Sequence, residues 1–331
     1  MRLSIAFQTD KPLAAYGPLA AQAEAYGFDM VTVYNDLYFQ PAWLPLLEIA
    51  RATSRIRLGV AAVNPFTCHP LAIAGNIALI DEAAGGRATL GMARGAWLDA
   101  IGIEPEHPVA ALREALACVR HLLRRDPAPF AGACFTLAGG ATLRWPVLRD
   151  TVPFLLGSWG PDTIRACIEH IDAVKIGGSA NPAVVPHFRR IIDAAAERVG
   201  RDGAGIEIVV GAVCVVDDDA AAARALARRE VALYLPVVAG LDPTLALDPE
   251  LLARLRMAAA RHDHAAAAGL ISDDLLRRFA FAGAPADVAA QAAALFEAGA
   301  GRVEFGTPHG IAAARGLALL GTAVAPALRR R

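Results

Sequence analysis

The chain has 331 residues, 55% of them hydrophobic and 20% charged, which is enough to bury a large core and too apolar for extended disorder. Its formal net charge of −1 leaves no basic stripe of the kind that nucleic-acid binding needs. Five cysteines (Cys68, Cys118, Cys134, Cys167 and Cys214), odd in number and without a CxxC pair, exclude a disulfide framework and a zinc site and suit a reducing compartment.

The opening MRLSIAFQTD runs straight into strand-like sequence, without the apolar core of a signal peptide. The first strand is expected over 3–7, followed by a helix over 12–26. Pro12 tolerates a first helical turn and Gly27 stops the helix. A second strand over 30–34 precedes a helix over 41–52. A third over 56–63 precedes one over 70–84, and a fourth over 88–93 precedes one over 109–124. Residues 126–152, irregular and rich in Pro and Gly, are expected to connect elements rather than to divide domains. The fifth strand follows over 153–156, with a helix after Pro161. The sixth runs over 173–176, with a helix over 182–199. The seventh runs over 206–216 and leads into a long helical region with an insertion at about 240–274. The eighth runs over 302–306, and a last helix begins after Gly310. No apolar stretch is long enough to read as a membrane span, so a cytoplasmic protein is expected.

Eight strands, each followed by a helix, predict a parallel sheet closed into a single (β/α)8 TIM barrel across residues 1–331. A doubly wound open sheet is the alternative, but no GxGxxG follows the first strand. In such a barrel the chemistry lies at the carboxyl ends of the strands. That rule selects Gln8, Thr9 and Asp10; Asn35, Asp36 and Tyr38; Asn64, Pro65, Thr67 and His69; and Arg94, Gly95 and Trp97. From the later strands it selects Gly157-Ser158-Trp159-Gly160, Gly177-Gly178-Ser179, and Thr307, Pro308 and His309. The set is poor in metal ligands. His262, Asp263 and His264 stand together but read as a solvated helical face. No GxSxG elbow is present. The two glycine turns are richer: bare amides before a helix suit a phosphate, although glycine also serves in any tight turn. The near-absence of lysine, Lys11 and Lys175 alone among 32 basic residues, reads as compositional bias.

From RLGVAAVNPFTCHP through ALIDEAAGGRATLGMARG the chain resembles the luciferase-like flavin and deazaflavin oxidoreductases, within them the methylenetetrahydromethanopterin reductase branch, which uses coenzyme F420. AWLDAIGI, VPFLLGSWGPDTIR, AVKIGGSANP, FAGAPADV and FGTPHG extend the resemblance. It implies a ring held against strand three, with a non-proline cis peptide at Ala61–Ala62 behind it. It also implies phosphate and tail contacts at Gly157, Ser158, Trp159, Gly160, Gly177 and Gly178, with Asn35 and Asn64 among the cofactor-binding residues, and a homodimer. Two departures stand out. Ala6 occupies the place of a glutamate near the end of strand one, and Asn35-Asp36 that of an Asp-His pair.

The reading is therefore an oxidoreductase moving hydride between F420 and a small organic substrate. Three alternatives stay open: an FMN-dependent monooxygenase, a nicotinamide-using reductase and a non-catalytic ligand-binding barrel. A proton donor must stand within about 3 Å of the hydride acceptor, or one water away. Ala6 cannot supply it, which leaves Asp36 first, Asp10 next, and Glu48 further along the second helix.

Overall fold

The structure is a computed structural model that describes residues 1–331 apart from Leu233, His262 and Arg331. Among the described residues, eight parallel strands close into a barrel: β1 (Arg2–Phe7), β2 (Met30–Val33), β3 (Arg57–Val63), β4 (Ala88–Ala93), β5 (Phe154–Gly157), β6 (Ala173–Gly177), β7 (Glu207–Val216) and β8 (Arg302–His309). Closure is made by β1, which pairs with both β2 and β8; Ala6 stands opposite Thr32, and Ile5 opposite Phe305. Helices α1 (Tyr16–Ala25), α2 (Trp43–Ala52), α3 (Pro70–Ala83), α4 (Pro108–Leu123), α5 (Pro161–Cys167) and α6 (Val184–Arg198) follow the first six strands. None of the described helices is long and apolar enough to cross a membrane.

Period-two alternation decides which way each side chain points. Leu3, Ile5 and Phe7 of β1, Val31 and Val33 of β2, and Val303 and Phe305 of β8 belong to the main core between barrel and helices. The residues between them therefore face the barrel axis. Leu155, Ala173 and Val209 form a separate small apolar cluster inside the barrel. Near the amino ends of the strands, buried Arg302 pairs with Glu207 at 3.5 Å.

Two segments depart from the sequence expectation. The connection over 126–152 contains a two-residue antiparallel pairing of Phe130–Ala131 with Thr136–Leu137. Buried Glu114 of α4 fixes the turn by accepting the amide N–H groups of Ala133, Cys134 and Phe135. After β7 and α7 (Ala220–Ala232), the inserted region folds as α8 (Leu235–Leu241), α9 (Pro249–Ala260), α10 (His264–Gly269) and α11 (Asp273–Phe279) around a second core. It ends in a strand, Ala280–Gly283, that pairs in parallel with Val213–Val216 and prolongs the barrel wall beyond the end of β6. AFAG holds one aromatic and no β-branched residue, so the sequence offers little to mark it as a strand. Helix α12 (Pro285–Glu297) then leads back to β8, and α13 (Ala313–Leu319) and α14 (Ala325–Arg329) close the chain. Of the His262-Asp263-His264 triplet, His262 lies outside the described residues. Asp263 caps α10 through its carboxylate and the Ala266 amide.

Candidate active site

At the carboxyl mouth the axis-facing residues become small. Ala6, Ala61, Ala93, Gly157, Gly177 and Gly306 are the last inward positions of six strands, whereas β7 offers Val213 and the end of β2 offers Tyr34. A Cβ added to Gly177 would meet nothing within 4 Å, so a hollow opens in front of it. The Ala61–Ala62 peptide is cis, and the pairing of β3 with β4 shifts between Val60 and Val63. These small residues leave room for a flat ring against β3.

The floor of the hollow is polar. The Glu304 carboxylate, fully buried, accepts from Thr32 Oγ1 at 2.7 Å and pairs with the buried Lys175 ammonium. Burial pushes the Glu304 pKa up, but Lys175 and the Thr32 hydroxyl outweigh it and hold the carboxyl below its usual range. Lys175 Nζ lies 5.2 Å from the centroid of the Tyr34 ring. Tyr34 leans across the strand that separates β2 from β8: a Cβ added to Gly306 would come within 2.9 Å of its hydroxyl. Only alanine at position 6 lies beneath that span. Burial first, then the charges of Glu304 and Asp36, raise the Tyr34 pKa well above that of an ordinary phenol. At the end of β8, buried His309 donates from Nε2 to the Ala6 carbonyl at 2.9 Å, and burial lowers its pKa to about 4.

A family model described as luciferase-like monooxygenase matches residues 2–302. The chain belongs to this luciferase-like family. It is 30% identical over 329 residues to 5,10-methylenetetrahydromethanopterin reductase of Methanolobus tindarius, covering 97% of this chain and 98% of that protein. It is 28% identical over 339 residues to the protein of the same name from Archaeoglobus fulgidus, covering 99% and 100%. Among solved structures, the F420-dependent tetrahydromethanopterin reductase of Methanopyrus kandleri matches with a TM-score of 0.87 at 24% identity over 98% of each chain. An F420-dependent secondary alcohol dehydrogenase matches with a TM-score of 0.80 at 20% identity over 99% of each. These two show the same fold.

Within this luciferase-like barrel, the residues expected from sequence divide by what their polar atoms do. Asp36 is half-buried at the mouth and accepts from Gln8 Nε2 at 2.9 Å. Asp10 is exposed and pairs with Lys11 at 2.5 Å. Asn35 spends its side-chain oxygen on the Ala42 amide. Asn64 spends its own on the Phe66 and Thr67 amides and the Thr67 hydroxyl. The glycine turns are not bare. Gly160 N–H donates to Ser158 Oγ, and Gly178 and Ser179 N–H both donate to the Gly211 carbonyl. Gly178 (φ +77°) lies beneath Tyr234 and Val238 of the inserted region, which stand 3.2 and 3.0 Å from where a Cβ would be. Trp159 Nε1 donates to the Gly177 carbonyl and ties the two strand ends together.

Tyr34, Lys175 and Glu304 were not among the candidates read from sequence. Two signals pointed to Lys175 and Glu304, and none to Tyr34. AVKIG and RVEFG each carry a charge at an axis-facing position of an apolar strand. Lys175 is also one of only two lysines among 32 basic residues.

Proposed function

We propose that this luciferase-like protein is an oxidoreductase that moves a hydride between coenzyme F420 and a small organic substrate at the carboxyl mouth of the barrel. The observation that carries this reading is the hollow walled by alanine and glycine beside β3, open in front of Gly177. The names of the reductases it resembles along its whole length support the same reading. The deazaflavin would supply the hydride chemistry. The protein's part is to seat the ring, exclude water from one face and manage the proton.

Ala61, Ala62 and Gly157 would wall the ring site, while Gly177, Ser158, Trp159 and Gly160 would line the way to the cofactor tail. Asn35, Asn64 and Gly178 would act on the cofactor through the loops they hold. Asp36 would exchange protons with solvent at the mouth. Asp10, turned to Lys11 at the surface, is the weaker of the two carboxylate candidates. Five unpaired cysteines fit a cytoplasmic protein, and we place it there. We also propose that it works as a homodimer.

Titration with F420 and, separately, FMN, followed by cofactor fluorescence, tests the cofactor assignment. F420 should bind at micromolar or better affinity, with FMN much weaker. Gly177→Asp should weaken F420 binding at least tenfold with the melting temperature unchanged, because the new side chain fills open space rather than a packed core. Binding of neither cofactor would sink the assignment; preference for FMN would move it to the monooxygenase alternative.

A further inference from the structure

We propose that the Tyr34 hydroxyl donates a hydrogen bond, and then a proton, to the carbonyl oxygen of the substrate. This makes Tyr34 a catalytic residue and the substrate a carbonyl compound or, in the reverse direction, its alcohol. The proposal rests on the hydride-transfer reading above.

Three features of the barrel converge on this hydroxyl. Its placement is the first. Tyr34 follows Thr32 by two residues and so projects from β2 toward the axis, as Thr32 does when it bonds Glu304. Ala6 and Gly306 supply the space it crosses: a Cβ at Gly306 would fall within 2.9 Å of the hydroxyl. It is the one large side chain among the small residues at this level, and it stands in the hollow where a flat hydride donor fits.

The second feature is that the hydroxyl is available. Among the described residues no hydrogen bond to a protein group engages it. By contrast the neighbouring polar side chains Gln8, Asn35, Asp36, Asn64 and Trp159 are all committed. A half-buried phenol left without a protein partner is matched to a group that arrives from solution.

The third feature is the support beneath it. Lys175 and Glu304 form a buried pair, with Thr32 on the second carboxylate oxygen. Burying an ion pair inside a barrel gains little stability over an apolar filling. Here it fixes an ammonium 5.2 Å from the Tyr34 ring centroid, a cation–π contact that holds the ring in place across the barrel.

The chemistry balances. The reduced deazaflavin would supply the hydride, and with it both electrons, that forms the C–H bond at the carbonyl carbon. The C=O π pair moves to oxygen. The Tyr34 O–H bond breaks and its proton passes to that oxygen, giving the alcohol. The phenolate regains a proton from solvent at the mouth, where Asp36 is the nearest carboxylate on the same strand end. Hydride addition leaves an alkoxide, a strong base, on the substrate oxygen, and that oxygen takes the proton. A cationic C=N acceptor would become a neutral amine on hydride addition and develop no negative charge for this donor to stabilise.

The test uses Tyr34→Phe, which keeps the ring over Lys175, in the full-length protein loaded with F420. Isobutyramide serves as an unreactive carbonyl probe, read by the change in F420 fluorescence. Reduction of short-chain ketones by reduced F420 is measured across pH. In the variant F420 affinity should stay within about twofold of the native protein. Isobutyramide should bind at least fivefold more weakly, as expected for one lost hydrogen bond. Ketone reduction should slow at least a hundredfold at every pH measured. A variant that binds the amide and reduces ketones as the native protein does overturns the proposal, as does a native holoprotein with no affinity for the amide. Failure of both proteins to bind F420 is a different result: it removes the hydride-transfer reading, and this proposal with it.

Discussion

Gln8 decides how Asp36 is presented. Its side-chain oxygen is taken by the Thr9 amide at 2.8 Å, so its NH2 must face the Asp36 carboxylate, which accepts at 2.9 Å. One carboxylate oxygen is thereby committed, and the other is free to meet water at the mouth. Asparagine at position 36 can keep the bond to Gln8 through its own oxygen, but it carries no titratable proton. Asp36→Asn should therefore leave F420 affinity and the melting temperature unchanged and slow turnover by about a hundredfold. Steady-state kinetics beside a fluorescence titration separates the two effects, and native turnover in the variant would show that solvent reprotonates the site directly. The place of Asp36 at the mouth was legible in the sequence because a strand-end rule and a family position both point there. Tyr34 was not, because a tyrosine closing a four-residue apolar strand reads as core until the barrel closes and shows which face is inward.

At the scale of elements, the strands that alternate cleanly were the most legible, since outward Leu, Ile, Val and Phe mark the register directly. β8 was read too short, over 302–306, because Pro308 suggests an end. In fact pairing with β7 resumes at His309 opposite Val215 after a register shift. That extension is what carries His309 back over β1 to the Ala6 carbonyl. The strand Ala280–Gly283 escaped for the opposite reason: it is fixed by its pairing with β7 and not by its own composition. The β8 arrangement has a pH signature. His309 is buried and neutral with a pKa of about 4, against 6.5 for an ordinary histidine. Between these values the unfolded chain binds a proton that the folded one refuses, so stability rises with pH across this interval and falls on acidification. The loss should begin near pH 6.5 and level off below about pH 4, reaching roughly 3 kcal/mol. Urea unfolding at a series of pH values should show this slope in the native protein and lose most of it in His309→Gln. A slope that persists unchanged would assign the acid sensitivity to other groups.

For the whole molecule, the outer face of α3 argues for association. Leu71 and Leu79 are 46% and 52% exposed, Leu44 of the adjacent α2 is 60% exposed, and a groove of about 460 Å³ lies between α3 and Thr142–Trp145. Leu71, Ala72, Gly75, Asn76 and Leu79 of α3 line one wall of the groove without an ionisable side chain, and the exposed Arg144 stands on the other wall. In a two-fold interface each residue near the axis meets its own copy, so a charge there would face its like. The α3 wall, apolar and uncharged, avoids that repulsion if it lies nearest the axis with Arg144 outside it, and among the partners open to a nearly neutral protein it suits a second copy of the same chain. A stable dimer needs about 1,200–2,000 Å² of total buried surface, more than one helix supplies, so α2 and the 142–145 segment must share the contact. We expect sedimentation equilibrium at micromolar concentration to give twice the chain mass. Leu79→Arg should shift it to the monomer by placing two guanidinium groups together near the axis. Because Leu79 makes little of its packing within the monomer, that substitution should change monomer stability by no more than about 0.5 kcal/mol, so a loss of dimer with the fold and F420 binding intact would locate the interface. A native protein that sediments as a monomer would rule the association out. A dimer that survives Leu79→Arg would place it on another face.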